Sequence, residues 1–127
     1  MLLHDRRPKY LNLFKIKLPI AGIISIFHRL TGILLFLFIP LSLYFLQLSV
    51  KDASSFQEVT ALMHYPLSRF FILLIVWSLL HHLLTGLRFL LIDMEFFLDR
   101  KLSSLSAWVV VVIEALLMFA VIVGLFL

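Results

Sequence analysis

The chain is predicted to be an all-α integral membrane protein with three transmembrane helices, and three observations predict it. Of its 127 residues, 63% are hydrophobic and 14% charged, with thirteen Phe, so polar surface is too scarce to cover a soluble domain. The apolar residues gather in three long runs, at about residues 23–48, 67–92 and 107–127. Each exceeds the roughly 20 helical residues that the roughly 30 Å hydrocarbon layer requires, and together they leave no space for a catalytic domain.

Residues 1–21 form an expected cytoplasmic segment. Its stretch "MLLHDRRPKYLNLFKIKLP" carries Arg6, Arg7, Lys9, Lys15 and Lys17 against the single acid Asp5. Basic residues directly before an apolar run mark the cytoplasmic face, so no nucleic-acid partner is expected. A cleavable signal peptide is not expected either, because His28 and Arg29 interrupt the run that follows and no small-residue cleavage site is present. The first span, 23–48, ends at the polar connector "SVKDASSFQEV". Tyr65 and Pro66 introduce the second span, 67–92, and the short loop "DMEFFLDRKLSS" with Arg100 and Lys101 leads to the third, 107–127. The basic tail and that loop share one side, against Lys51 and Arg69 on the other. The expected topology has the N-terminus in the cytoplasm and the C-terminus in the periplasm of a bacterial inner membrane. A bacterium is favoured over a mitochondrion because no Arg- and Ser-rich transit segment precedes the first span.

Cysteine is absent, which excludes disulfides, thiolate-held iron–sulfur clusters and covalent haem attachment. The four glycines at 22, 32, 86 and 124 form no phosphate loop. The informative residues are the ionisable ones inside the membrane. An arginine at the bilayer centre costs at least about 2.5–3.5 kcal/mol and must face a protein interior, a cavity or a ligand. In the first span Gly22, Ser25, Arg29, Gly32 and Phe36 share one helical face, with His28 at its margin. Two readings of that face stand: a helix–helix seam with Arg29 snorkelling to the headgroups, or a ligand site. In the second span Ser78, His82, Gly86, Phe89 and Asp93 form one stripe, and His81, Thr85 and Arg88 another about 100° away.

A planar macrocycle needs a small residue beside its axial ligand. His82 has Gly86 one turn on, whereas His81 has Thr85 there, so His82 is the better-placed haem ligand; an interhelical hydrogen bond is its other reading. His28 lies nearer the inner surface, so a second axial ligand is expected from another polypeptide. Glu114, well inside the third span, is expected to be protonated or paired with a cation such as Arg29. A small homo-oligomeric channel or carrier using Glu114 is the competing class, but it leaves His82, Arg29 and Ser25 unexplained.

The segments "RPKYLNL" at 7–13, "PIAGIISIFHRLTG" at 19–32 and "HHLLTGLRFLLID" at 81–93 resemble the cytochrome b membrane-anchor subunit family of succinate dehydrogenase, complex II. The resemblance covers nearly the whole chain, including the three-span layout. It implies half of a heterodimeric transmembrane helix bundle around one haem b, with His82 as an axial ligand and the other histidine from a second small membrane-anchor subunit. It implies that Ser25 and Arg29 line a ubiquinone pocket near the cytoplasmic face. It places His28 and Arg29 close to the haem propionates, leaves His81 or Arg88 to supply the contact that Phe89 cannot, and associates Asp93 with proton supply. The family's iron–sulfur and flavoprotein subunits would be the partners that oxidise succinate. The anchor of a quinol:fumarate reductase is the alternative within the same chemistry.

Overall fold

The computed structural model describes residues 17–126, so the basic residues Arg6, Arg7, Lys9 and Lys15, the segment at 7–13 and Leu127 lie outside the described residues. Four helices make up the described residues: α1 (Ile20–Lys51), α2 (Ala53–Met63), α3 (Pro66–Asp93) and α4 (Arg100–Phe126). Three of them, α1, α3 and α4, are long and apolar enough to cross a membrane. These overlie the three expected spans; α1 and α3 extend past the apolar run at both ends, and α4 extends past it at its start.

The ends of the helices follow local chemistry. Pro66 at the first turn of α3 has no N–H to waste and a φ already suited to the helix. The Asp99 carboxylate accepts from the backbone N–H of Lys101 (2.9 Å) and Leu102 (3.4 Å), so α4 starts at Arg100, seven residues before the apolar run at Ala107. The expected polar connector after α1 contains a helix of its own. Asp52 breaks α1 in an extended conformation and caps α2, its carboxylate accepting from the Ser55 N–H at 2.7 Å. That hydrogen bond holds the Asp52 carboxyl below its ordinary value. The cap is therefore fully formed above the ordinary carboxylate range and fades as pH falls through the lowered value.

α3 is the central element, packed on α1 along one side and on α4 along the other, while α1 and α4 touch over a smaller area. The interior they enclose inverts the pattern of a soluble protein. Its buried residues are Ile24, Ala107 and Val110 together with the polar Thr31, Ser78, His81, Thr85, Arg88 and Glu114. Leu, Phe and Ile side chains cover the outside. Lipid solvates apolar groups as well as a core does, so the interior belongs to small residues and to polar groups that find partners only there.

The α3–α4 turn is strained. Glu95 N–H donates to the Ile92 carbonyl (2.9 Å) and Phe96 N–H to the Leu91 carbonyl (3.0 Å), a Schellman closure whose left-handed position is occupied by Glu95 at φ 67°. Glycine is the residue this position favours, because a Cβ there crowds the following carbonyl at a cost of about 1–2 kcal/mol. Replacing Glu95 by Gly is expected to raise the thermal midpoint of the detergent-purified protein, equivalent to about 1 kcal/mol. An unchanged or lower midpoint would refute strain at this turn.

Candidate functional site

Two neighbouring histidines on α3 grip two carbonyls of α1 that lie one turn apart. His81 Nε2 is 3.2 Å from the Ile24 carbonyl oxygen, and His82 Nδ1 is 3.1 Å from that of His28. A carbonyl only accepts, so each of these nitrogens carries a proton. The adjacent imidazoles are thereby fixed in opposite senses: His81 donates from Nε2 and His82 from Nδ1. On His82 this leaves Nε2, which has no hydrogen-bond partner among the described residues; the ring is only half-buried.

Glycines make this approach of α1 to α3 feasible. A Cβ on Gly32 would sit 3.0 Å from His82 Cε1 and 3.4 Å from His82 Nδ1, tighter than ordinary contact, so the ring would have to give way by a few tenths of an ångström. A Cβ on Gly86 would meet His28 Nε2 at 3.5 Å, ordinary contact. The His28 ring lies parallel to that of His82, with centroids 4.1 Å apart and planes 7° from parallel. Phe89 closes its far edge at 5.1 Å. The threonine of α1, Thr31, is fully buried and returns its hydroxyl proton to the Phe27 and His28 carbonyls (2.9 and 3.0 Å).

The second nitrogen of His81 is also engaged. Nδ1 lies 2.9 Å from Glu114 Oε2 of α4, with both side chains less than a tenth exposed. Because Nε2 already bears a proton, Nδ1 either accepts from a neutral carboxyl or donates to a carboxylate. Both arrangements carry zero net charge, which removes the cost of an isolated buried ion. Phe27 and Trp77 shield the ring, at 6.1 and 5.7 Å between centroids. About two turns further along α3, Arg88 is 4% exposed and donates to the Ser106 hydroxyl (2.9 Å) and to the Ser103 carbonyl and hydroxyl (3.0 and 2.9 Å).

These polar contacts within transmembrane helices agree with comparisons to known proteins. Residues 4–123 match the succinate dehydrogenase/fumarate reductase transmembrane subunit family. The chain belongs to that family. It is similar to the succinate dehydrogenase cytochrome b556 subunit of Coxiella burnetii (strain RSA 493 / Nine Mile phase I), 34% identical over 116 residues, which covers 88% of this chain and 90% of that one. The subunits of the same name from Rickettsia felis and Rickettsia prowazekii are each 28% identical over 115 residues, covering 91% of this chain and 90% of theirs. With three membrane-crossing helices and this family, the protein is a multi-pass membrane protein.

Within this family member the structure sorts the residues singled out from sequence into two groups. His28 and His82 meet at the α1–α3 contact, with Ser25 half-buried and Arg29 exposed on the same helix as His28. Arg88 instead turns toward α4, and His81 joins both interfaces, reaching α1 through Nε2 and α4 through Nδ1. Glu114 is buried, and its partner is His81 rather than the Arg29 considered from sequence. Asp93 is exposed at the last residue of α3. Sequence reasoning missed the carbonyls of Ile24 and His28, the slot that Gly32 opens for His82, and the anchoring of Arg88 by Ser103 and Ser106. A signal for the last existed: Ser103, Ala107, Val110 and Glu114 follow the three-and-four spacing of one helical face.

The glycine slot is directly testable. Gly32→Ala is expected to push the His82 ring aside and lower the thermal midpoint of the detergent-purified protein, equivalent to about 1–3 kcal/mol. Gly124→Ala serves as the control, since nothing lies within 4 Å of a Cβ there. Equal effects of the two substitutions would show that Gly32 makes no special room.

Proposed function

We propose that the chain is the haem b-binding membrane anchor of a succinate:ubiquinone oxidoreductase, a subunit that carries no succinate-oxidising site and docks a flavoprotein and an iron–sulfur subunit at a bacterial inner membrane. The observation that carries this reading is the state of His82. An imidazole that donates Nδ1–H to a backbone carbonyl has its ring orientation fixed and its Nε2 lone pair made more basic, the arrangement in which histidines ligate metals. Among the described residues no three His, Asp or Glu side chains converge to hold a metal ion by themselves. A single free imidazole nitrogen at a bundle surface fits a porphyrin, which brings four of the six donors itself.

The names of the similar proteins, all succinate dehydrogenase cytochrome b556 subunits, support a haem and the succinate-oxidising direction, while the matched family spans both enzymes and the quinol:fumarate reductase anchor stays the alternative. His82 would hold one haem, which would supply a one-electron carrier within the membrane. His28 stacks face to face on His82 and is not offered as a second ligand. A second small anchor subunit would supply the other histidine, and its helices would complete the bundle and cover the exposed face of His82.

The chain's own residues divide the remaining work. Ser25 donates its hydroxyl to a carbonyl oxygen of ubiquinone, and Arg29, one turn further, stabilises the negative charge that develops on that oxygen as electrons arrive. Arg29 and His28 would also meet the propionates of that haem. His81 and Arg88, named from sequence for that role, are held by α4 and contribute through packing. Asp93, exposed at the inner end of α3, lies where protons for the reduced quinone enter from the cytoplasm. The basic N-terminal segment faces the soluble subunits on the same side, and the C-terminus faces the periplasm.

Replacing His82 by Ala is expected to abolish the b-type absorption bands of the purified complex, whereas His81→Gln retains them; the converse pattern would overturn the ligand assignment. Ser25→Ala and Arg29→Leu are expected to cut ubiquinone reduction at least about tenfold, the worth of one good hydrogen bond to a charged group. Succinate oxidation with a soluble dye remains intact in both. Equal loss of the two activities would indicate failed assembly and remove the support for a quinone site.

A further inference from the structure

Glu114 has no role in the function proposed above, yet it is the only acid buried in the interior among the described residues. Its contact with His81 is one link of a longer chain. Glu114 on α4 holds His81 Nδ1 at 2.9 Å, and His81 on α3 holds the Ile24 carbonyl of α1 from Nε2 at 3.2 Å. All three membrane helices are tied at one level. The tie has no slack, because the imidazole uses both nitrogens and the ring is packed between Phe27 and Trp77.

One residue along α3 and one turn along α1, His82 donates to the His28 carbonyl. The two grips share both helices, so α1 cannot slide or rotate on α3 without disturbing the two together. On the His81 ring, Phe27 and Trp77 pack the faces and Thr85 Oγ1 lies 3.5 Å from Nε2, but among the described residues only Glu114 hydrogen-bonds Nδ1. We infer that Glu114 is a positioning residue which, through His81 and the Ile24 carbonyl, sets the register of α1 on α3 and thereby the hydrogen bond from the axial ligand His82 to the His28 carbonyl. This inference rests on the haem reading of His82.

The physical consequence has a sign. An axial imidazole that donates a strong Nδ1–H bond pushes more electron density onto iron and favours the ferric state. When Glu114 is replaced by a group that cannot hydrogen-bond, His81 Nδ1 loses its partner in a dry interior and the ring is free to leave Ile24. The register relaxes, the His82 bond lengthens, and the haem becomes easier to reduce. Glutamine at the same position escapes this outcome, since its amide can either accept from or donate to Nδ1.

The test uses the purified full complex carrying Glu114→Leu or Glu114→Gln, with haem content, the low-spin ferric electron paramagnetic resonance signal and the haem midpoint potential as readouts. The expected result is haem retained in both, a positive shift in midpoint with a displaced resonance in the Leu variant, and wild-type values in the Gln variant. Wild-type potential and resonance in Glu114→Leu would overturn the inference, as would loss of haem from Glu114→Gln. Should the Leu variant fail to assemble, Glu114→Asp takes its place. Its carboxyl is withdrawn by one methylene, and it must show the same displacement; a wild-type signal from it is equally fatal. A wild-type complex without b-type bands, or haem retained by His82→Ala, refutes the haem reading itself. A haem that depends on His82 but ignores Glu114 refutes only the positioning role.

Discussion

Two adjacent imidazoles donating to two carbonyls one turn apart is the contact on which the rest of this structure depends. Interhelical hydrogen bonds inside membranes are each worth only about 0.6–2 kcal/mol, so their contribution to stability is modest. Their effect on specificity is larger. Each bond fixes which nitrogen of a histidine bears a proton, and the two bonds fix it oppositely. One imidazole is consumed inside the chain, with Glu114 on its remaining nitrogen. The other is left with an unshared nitrogen at the surface of the bundle. A sequence with two neighbouring histidines thus yields one structural residue and one candidate ligand.

The same constraint explains why the interior is polar. Hydrocarbon outside the bundle offers Leu and Phe no incentive to pack inward, whereas a lone hydroxyl, imidazole or guanidinium has no partner anywhere but between helices. Arg88 illustrates the balance. No acid neutralises it among the described residues, and Ser103 and Ser106 take its N–H groups instead, which ties the lower part of α3 to the first turns of α4. Breaking a buried charged pair typically costs about 3–5 kcal/mol, because the surviving partner is left unsolvated. The His81–Glu114 arrangement carries no net charge in either protonation state, and its removal disturbs geometry as well as energy.

Much of this architecture was legible in the sequence, and the boundary is physical. The three spans follow from long apolar runs, which report on the solvent around a helix whatever it packs against. The angular offset of about 100° between His81 and His82 follows from helical geometry alone, but that both rings reach α1 and that only His81 also reaches α4 does not. The α2 helix was missed: its eleven residues are short and polar, and only the Asp52 cap announces it. The start of α4 was set too late, since hydropathy marks the lipid boundary and Asp99 marks the helix. Glu114 was recognised as needing a partner, but pairing it with His81 requires knowing which helices touch. The carbonyls of Ile24 and His28 were invisible, because backbone acceptors have no residue identity.

Protonation of the two imidazoles can be read directly by nitrogen NMR of selectively ¹⁵N-histidine-labelled, dithionite-reduced complex in lipid, with assignments from single His81 and His82 variants. The account predicts a proton on Nδ1 and none on Nε2 of His82, and a proton on Nε2 of His81. A proton on His82 Nε2, or a bare Nε2 on His81, would contradict it.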